Sequence, residues 1–443
     1  MSDSAIKRLL AAGRGDGLRA QLLRGGVGSL GIKAGHAMLA FAVAVVLART
    51  LGPEGYGVYS FALAIIMLTA IPAQIGVPQL MVRETAKAQA NGNYGLMRGL
   101  WRWGNVAVAL FSALALAVVA GILWFTDVGG DGARVATLTI GIALIPVIAL
   151  ANVRGACLRG LRKVVQGQLP ESIIRPALLL FLVLVWGTWF VEDELTPQMA
   201  MGFYVVAAVL AFIIGAWLLR RSRPAELGER PTAEYQSSAW RKAVIPLGMI
   251  TGLQLINNYA DLIILGIFRT DEEVGIYRAA FQFSMLVTFI MIAINQVVQP
   301  YFAKMHEIGD FLRMRKLLDN ASKLTLFLTL PIVVIFVFFN ELLLVSIFGP
   351  DYISGGLALA ILVTGSFAKS VFGYGHAVLM MAGYEREVLR FVVWSGLANV
   401  LINLILVPIL GIEGAAVGTA VTMGCLFVVL FLKAKKMIGL MSS

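Results

Sequence analysis

Long apolar runs separated by short polar stretches repeat along all 443 residues of the chain. Twelve of these runs approach or exceed the roughly 20 residues that a helix needs to cross a membrane. They lie near residues 28–49, 58–80, 102–125, 134–155, 170–190, 199–219, 243–268, 278–300, 323–347, 355–381, 388–409 and 414–432. The pattern predicts an all-α polytopic membrane protein with twelve transmembrane helices.

The composition agrees with this prediction. Hydrophobic residues make up 59% of the chain and charged residues only 14%, whereas an ordinary soluble domain is about 25% charged. So few charges do not cover a water-exposed surface, which excludes a soluble enzyme, a disordered chain and a fibrous protein. The two cysteines and three histidines form no metal or disulfide pattern. Because no catalytic motif is present either, we expect no enzyme activity and no cofactor.

The basic residues fall mainly on one side of the predicted bundle. The chain carries 36 Lys and Arg against 25 Asp and Glu, an excess that in a soluble protein would suggest nucleic-acid binding. Here 29 of the 36 lie in the termini and in one set of alternate loops, and 4 lie in the other set. This asymmetry follows the positive-inside rule. We therefore expect both termini in the cytoplasm and no nucleic-acid partner.

The longest basic loop, 220–242, divides the predicted spans into six and six. It is rich in Pro and Gly, as a linker is. We predict an N-lobe at 27–219 and a C-lobe at 243–432, related by an internal duplication. A cytoplasmic segment 1–26 precedes them and a cytoplasmic tail 433–443 follows. The first segment either lies on the membrane surface as an amphipathic helix or stays irregular because of its glycines.

Polar side chains recur at helical spacing inside several predicted spans. Such groups line a water-filled cavity or bond a neighbouring helix, and both explanations remain open for each of them. Because five spans carry such stripes, we favour a hydrated central cavity. The side chains expected to hold cargo there by hydrogen bonds are Gln254, Asn257, Asn258, Asn295 and Gln299.

Three basic residues also lie inside spans, where a charge at mid-helix costs about 2.5–3.5 kcal/mol. Lys369 lies about 20 Å deep by helical rise and requires either the cavity or an internal partner such as Asp261. Lys33 and Arg175 lie nearer the ends of their spans, so their side chains can also snorkel to the surface. A cationic cavity predicts an anionic cargo, with phosphate as the best fit. Further candidates for this cavity are His36, His376, Arg49 and Arg83.

Some of these residues have second explanations. Arg49 and Arg83 flank spans, so they are equally explained as interfacial anchors. Asp261 is the main acidic group within a span, and a lone carboxylate at that depth is a candidate for binding a proton or Na⁺ that drives transport. A permanent ion pair is the alternative for Asp261.

Five short segments carry a resemblance to a known family. They read ARTLGPEGYGVY at 48–59, RE at 83–84, GIYRAA at 275–280, FGPDY at 348–352 and GIEGAA at 411–416. In order and placement they resemble the polysaccharide-transporter branch (Wzx-type O-antigen flippases) of the MOP superfamily. That superfamily also contains the MATE drug exporters and the MurJ-type lipid II flippases.

The resemblance implies two six-helix lobes around a central cavity in the bacterial inner membrane. The implied cargo is an undecaprenyl-pyrophosphate-linked oligosaccharide, moved from the cytoplasmic to the periplasmic leaflet with its tail in the membrane lipid. A complex with a polysaccharide polymerase is a further partner that the sequence leaves open. The alternative function is a MATE-like cation-coupled multidrug exporter, which predicts an acidic cavity. Polymerases and ligases resemble multi-span proteins with larger external loops than this chain has.

The predicted topology is testable by cysteine labelling. After Cys157 and Cys425 are replaced by alanine, we expect Gly309→Cys to react with a membrane-impermeant maleimide only in opened membranes. Glu272→Cys, in the other set of loops, should react in intact spheroplasts. The opposite pattern would reverse the orientation, and equal labelling of both would contradict the predicted spans between them.

Overall fold

The protein is almost entirely helical. Its structure is a computed structural model, which describes residues 18–74, 76–125, 132–189, 194–228 and 231–442. These ranges contain helices and short connections and no strand. Nine of the helices in them are long and apolar enough to cross a membrane. The predicted all-α membrane class is confirmed.

The helices are numbered in chain order. They are α1 Leu18–Thr69, α2 Ile71–Gln74, α3 Val77–Ala90, α4 Tyr94–Phe125, α5 Gly132–Gly141, α6 Leu144–Gly160, α7 Val164–Leu169, α8 Arg175–Trp189, α9 Pro197–Arg221, α10 Ala225–Gly228, α11 Ser237–Phe268, α12 Asp271–Glu307, α13 Phe311–Phe338, α14 Asn340–Phe348, α15 Gly356–Phe372, α16 Tyr374–Met381 and α17 Glu385–Ser442. A π-helical turn, Pro170–Ile174, precedes α8, and a 3₁₀ helix, Pro350–Gly355, precedes α15.

Two of these helices fold back on themselves at a glycine. Gly52 in α1 has φ 66° and Gly411 in α17 has φ 61°, a left-handed conformation that costs glycine little. Pro53 follows the first break, where the first turn of a new helix tolerates its missing N–H. The two arms of α1 lie side by side, because His36 and Met67 line one pocket. The two breaks lie between predicted spans, the first between 28–49 and 58–80 and the second between 388–409 and 414–432.

Four predicted spans are broken in the structure. Span 134–155 is interrupted between α5 and α6. Span 58–80 crosses the break between α2 and α3, where Gly76 adopts φ 62° and Pro78 occupies the first turn of α3. Span 323–347 is interrupted between α13 and α14, and span 355–381 between α15 and α16. Hydropathy did not reveal these breaks, because the interrupted segments remain apolar throughout.

At the N-terminus, the structure describes only part of the predicted segment 1–26. Residues 18–26 are helical and continue into the first arm of α1, and residues 1–17 lie outside the described part of the chain.

Buried apolar residues form one core at one end of the bundle and two at the other. We call the end with the turns at 91–93, 161–163, 308–310 and 382–384 the basic side, and the end with Gly52 and Gly411 the far side. On the far side a single core joins residues from 44 to 416, from both halves of the sequence. On the basic side one core contains residues 73–240 and a separate one contains residues 291–438. One shared core thus joins the halves on the far side. On the basic side most of the second half has a core of its own, and only the start of α11 packs against the first half.

A close crossing of α1 and α12 holds the far side together. A Cβ atom on Gly57 would lie 1.7 Å from the carbonyl oxygen of Asp271, and one on Gly275 would lie 2.0 Å from that of Pro53. The two backbones therefore touch directly, as they do where small residues meet between membrane helices. Arg134 adds an ion pair across the same region, with its Nε 2.9 Å from both carboxylate oxygens of Asp271.

Further far-side bonds join α1 to the second half. Arg49 donates to the carbonyl oxygens of Ser346 at 2.6 Å and Ile347 at 2.7 Å, at the end of α14. The Tyr352 hydroxyl donates to the carbonyl oxygen of Ala48 at 2.9 Å. Because these bonds reach backbone carbonyls in the last turns of helices, they also satisfy acceptors that the helices leave unpaired.

The crossing predicts opposite effects for two equivalent substitutions. Gly57→Ala should lower the stability by about 1–3 kcal/mol, because the methyl group has no space. Gly187→Ala, in α8 with nothing within 4 Å of its Cβ position, should raise it by about 0.5–1 kcal/mol through helix propensity. Thermal unfolding in detergent measures both. A Gly57→Ala protein as stable as the control variant would show that the helices do not touch there.

Candidate functional site

A cleft opens on the basic side, between the first arm of α1 and α12. It has a volume of about 920 Å³ and is lined by Lys33 and His36 from α1 and by Asn295 and Gln299 from α12. The Oδ1 atom of Asn295 is buried without a hydrogen-bond partner among the described residues. We call this space the basic-side cleft, and it brings together four residues that the sequence predicts to bind cargo.

Deeper in the bundle, lined by residues of both halves, lies a smaller cavity of about 360 Å³, which we call the tyrosine pocket. Its polar lining contains phenol and guanidinium groups, the side chains of Ser60, Asn152 and Gln282, and His36, which also lines the basic-side cleft. The main polar residues are Tyr56, Tyr59, Tyr204, Tyr259, Arg175 and Arg278. The shared histidine places the tyrosine pocket next to the cleft.

An unusual helical turn positions Arg175. The N–H of Arg175 donates to the carbonyl of Pro170, five residues back, which defines the π turn. Pro176 has no N–H to offer the Ser172 carbonyl in the usual helical pattern. That carbonyl oxygen instead lies 3.0 Å from Nδ1 of His36, which fixes the imidazole at the edge of the pocket.

One carboxylate, Glu171, is shared by two arginines. It lies 3.1 Å from Nη1 of Arg175 and 2.9 Å from Nη2 of Arg154, and all three side chains are less than one-fifth exposed. Arg175 therefore does not snorkel to the surface. Two guanidinium groups and one carboxylate leave a net positive charge beside the tyrosine pocket.

A third cavity lies in the second half, with a volume of about 290 Å³. We call it the amide pocket, and its polar lining includes Asn257, Asn258, Lys369, His376 and Asn399. The Lys369 ammonium lies 5.9 Å from the centre of the Phe427 ring, and no carboxylate pairs with it among the described residues. This charge deep in the bundle faces a cavity with a partly polar lining.

Asp261 is hydrogen-bonded by neutral donors. Its carboxylate accepts from the Tyr277 hydroxyl at 2.5 Å, the Thr419 hydroxyl at 3.0 Å and the N–H of Leu262 at 2.9 Å. Asn399 bonds to the same Thr419 hydroxyl at 3.4 Å and connects this network to the wall of the amide pocket. No ion pair joins Asp261 to Lys369.

Two other predicted residues lie elsewhere, and the side chain of a third is not described. Arg49 bonds to α14 on the far side, outside the three cavities. Arg83 pairs with Glu84 at 2.9 Å in α3, with 57% of its side chain exposed. The side chain of Gln254 lies outside the part of the chain that the structure describes.

The structure also adds residues that the sequence reasoning missed. Arg278 stands next to Tyr277 at the predicted start of a span, so it was grouped with the loop charges. Glu171 lies in the first turn of a span, and its spacing of four residues from Arg175 was the available signal for an ion pair. The GIYRAA segment was the available signal for Arg278, because it places an arginine about two turns into α12.

All three cavities are cationic. Their basic lining groups are Lys33, His36, Arg175, Arg278, Lys369 and His376, and no Asp or Glu is among the described lining residues. Guanidinium and ammonium groups in polar cavities attract anions and disfavour cations. Phosphate oxygens suit these donors best, and aromatic and amide groups suit the faces and hydroxyls of sugars.

Similar proteins share the sequence pattern along most of the chain. A probable flippase, AglR, of Haloferax volcanii is 21% identical over 417 residues, which cover 91% of this chain and 81% of that protein. A putative O-antigen transporter of Shigella flexneri is 23% identical, over 73% of this chain and 76% of its own. Both relatives are named as transporters rather than enzymes.

Solved structures share the fold. The inward-facing conformation of a multidrug resistance MATE transporter of the MOP superfamily superposes with a TM-score of 0.74 at 14% identity, over 98% of each chain. The lipid II flippase MurJ, in an inward closed conformation, gives 0.73 at 15% identity, over 93% of this chain and 87% of MurJ. The MOP-type fold is thereby confirmed.

A family model described as "Polysaccharide biosynthesis protein" matches residues 22–306. This match covers more than half of the chain and includes the basic-side cleft, the tyrosine pocket and Asp261. The three cavities lie inside a MOP-type fold, and the most similar relatives include flippases. The chain therefore belongs to the polysaccharide biosynthesis protein family.

Proposed function

We propose that this protein is a flippase for a lipid-linked oligosaccharide whose carrier is undecaprenyl pyrophosphate. The observation that carries the proposal is the chain of three cationic cavities without an acidic lining residue in the described structure. A pyrophosphate needs such donors in the membrane interior, and a neutral or cationic cargo does not. The flippase and O-antigen transporter names of the relatives support the same class of cargo.

Each cavity has a chemical role in this proposal. Lys33 and His36 attract the pyrophosphate into the basic-side cleft, and Arg175 and Arg278 or Lys369 then hold it. The amide side chains of Asn257, Asn258, Asn295 and Gln299 bond sugar hydroxyls. The polyprenyl tail remains in the bilayer and passes through the gap between the two halves.

The arrangement of the cores supports alternating access. The basic-side cleft is open between two separate cores, and the shared far-side core closes the other end. We propose twelve spans in two six-helix lobes, because two of the nine long helices reverse at a glycine and α11 adds a shorter apolar segment, Leu255–Phe268. Release would require the Gly57–Gly275 crossing and the Arg134–Asp271 pair to separate.

The same proposal assigns the orientation and the partners. The basic side faces the cytoplasm by the positive-inside rule, so both termini are cytoplasmic and the membrane is the bacterial inner membrane. Asp261 is proposed to bind the coupling proton or Na⁺, since its network touches the amide pocket. A polysaccharide polymerase would be the natural recipient of the exported unit.

A MATE-like drug exporter is the second candidate, because a MATE transporter shares the fold. Cationic drugs would meet Arg175, Arg278 and Lys369 in the cavities, with no lining carboxylate there to attract them. Expression of this chain in a strain without drug exporters distinguishes the candidates. Raised resistance to cationic drugs would favour the exporter.

Removal of the cavity charges tests the cargo. In cells that depend on this protein, Arg175→Gln with Lys369→Gln should lower glycan export at least tenfold, because a hydrogen bond to a charged group contributes about 1.5–3 kcal/mol. The control Arg315→Gln with Lys316→Gln removes two exposed basic-side charges and should leave export intact. Normal export by the cavity variant at normal protein levels would rule out the cationic-cavity mechanism.

Neutralising Asp261 tests the coupling. Asp261→Asn keeps the size of the side chain but removes the charge that a proton or Na⁺ would balance. Transport in proteoliposomes should then lose its acceleration by an imposed ion gradient, whereas binding of the cargo stays within about twofold. Asp351→Asn, on the exposed far side, is the control. An Asp261→Asn protein that still responds to the gradient would place the coupling site elsewhere.

A further inference from the structure

A fourth cavity lies on the first half, outside the three described above. It has a volume of about 890 Å³ and lies between α4, α6, α9 and the connection to α11. We call it the arginine pocket, because five arginines line it and no Asp or Glu is among its described lining residues. They are Arg98, Arg102, Arg154, Arg220 and Arg223.

The arginine pocket is separate from the transport route. It contacts α6 at Leu150, Arg154 and Cys157, whereas the tyrosine pocket contacts α6 at Ile148 and Asn152. These two sets lie on opposite faces of the helix, because they are offset by two residues in a 3.6-residue turn. A ligand in the arginine pocket is therefore divided from the cargo by the wall of the first half.

The inner end of the pocket is a built site rather than a loose surface patch. Arg154 is 5% exposed, bonds through its terminal nitrogens to Glu171 and to the Phe212 carbonyl, and leaves its Nε without a partner in the described structure. A Cβ on Gly215 would lie 2.4 Å from Cζ of Arg154, so the glycine makes room for the guanidinium group. Arg98 is held by the Pro231 carbonyl at 2.8 Å.

An apolar groove continues from this basic site. A neighbouring cavity of about 920 Å³ shares Arg102, Val106 and Tyr235 with the arginine pocket and extends along α4 past Leu110 and Leu114. Both leucines are more than 60% exposed, so this face of α4 meets the acyl chains of the bilayer. The basic pocket and the apolar groove are thus adjacent, as the headgroup and the acyl chains of a lipid are.

We propose that the arginine pocket binds the phosphate headgroup of an anionic phospholipid from the basic-side leaflet, with its acyl chains in the groove along α4. Basic pockets between membrane helices suit anionic headgroups, and each Lys or Arg near the membrane surface contributes to that attraction. The groove selects a lipid over a free phosphate ion, which would use the arginines alone. The wall of α6 separates this lipid from the cargo.

Native mass spectrometry of the detergent-purified full chain tests the proposal. We expect dioleoylphosphatidylglycerol to bind with about tenfold higher affinity than dioleoylphosphatidylethanolamine. Arg220→Gln with Arg223→Gln should remove most of that preference, because both side chains are exposed and line the pocket. The control Arg315→Gln with Lys316→Gln, which removes the same charge from the basic side of the second half, should retain it. Equal thermal unfolding of the two variants confirms that both are folded.

Competition experiments separate the possible occupants. Glycerol 1-phosphate should displace phosphatidylglycerol only at about hundredfold higher concentration, because it has no acyl chains. Displacement at equal concentration would show a site for a soluble phosphate, and preferential displacement by undecaprenyl pyrophosphate would show a loading site for cargo. Either result would overturn the proposal, as would an equal loss of lipid binding in the control variant. None of these outcomes depends on transport activity.

Discussion

Hydrocarbon supplies no hydrogen bonds, so each polar group within the bundle must face a cavity, a partner or the membrane surface. This constraint explains the arrangement of the interior. Lys369 and the amides of α11 meet in the amide pocket, Arg175 pairs with Glu171, and Asp261 is surrounded by hydroxyl and N–H donors. The same constraint relates each cavity to its ligand, because a lining charge without a protein partner favours a ligand of the opposite charge.

The far side and the basic side differ in how the two halves meet. Direct backbone contact between α1 and α12 at Gly57 and Gly275 leaves no space for a lining side chain, and the shared core continues from it. On the basic side the same two helices diverge, and Lys33 and Asn295 face the space between them. A cavity that is open at one end only is what a transporter needs in order to admit cargo without leaking ions.

Several parts of this arrangement were readable from the sequence, because they depend on local pattern. Hydropathy predicted the helical membrane class, and depth along a span singled out Lys369. The interruptions near Gly76 and Phe339 were not readable, because apolar residues continue through them. Arg278 was also missed. It lies near a loop in sequence, but the rotation of α12 and its crossing with α1 direct the side chain into the interior. Contacts between distant segments decide such cases, and spacing along one helix does not.

Glu171 has two neighbours with different surroundings. Arg175 lines the tyrosine pocket and Arg154 lines the arginine pocket. The single carboxylate of Glu171 lies about 3 Å from each guanidinium group. A negative charge that approaches either arginine weakens its hold on Glu171 and strengthens the bond on the opposite face. With the proposed lipid bound beside Arg154, Glu171 would couple the two faces of α6 electrostatically, and the anionic-lipid content of the membrane would change the charge that Arg175 presents to the interior.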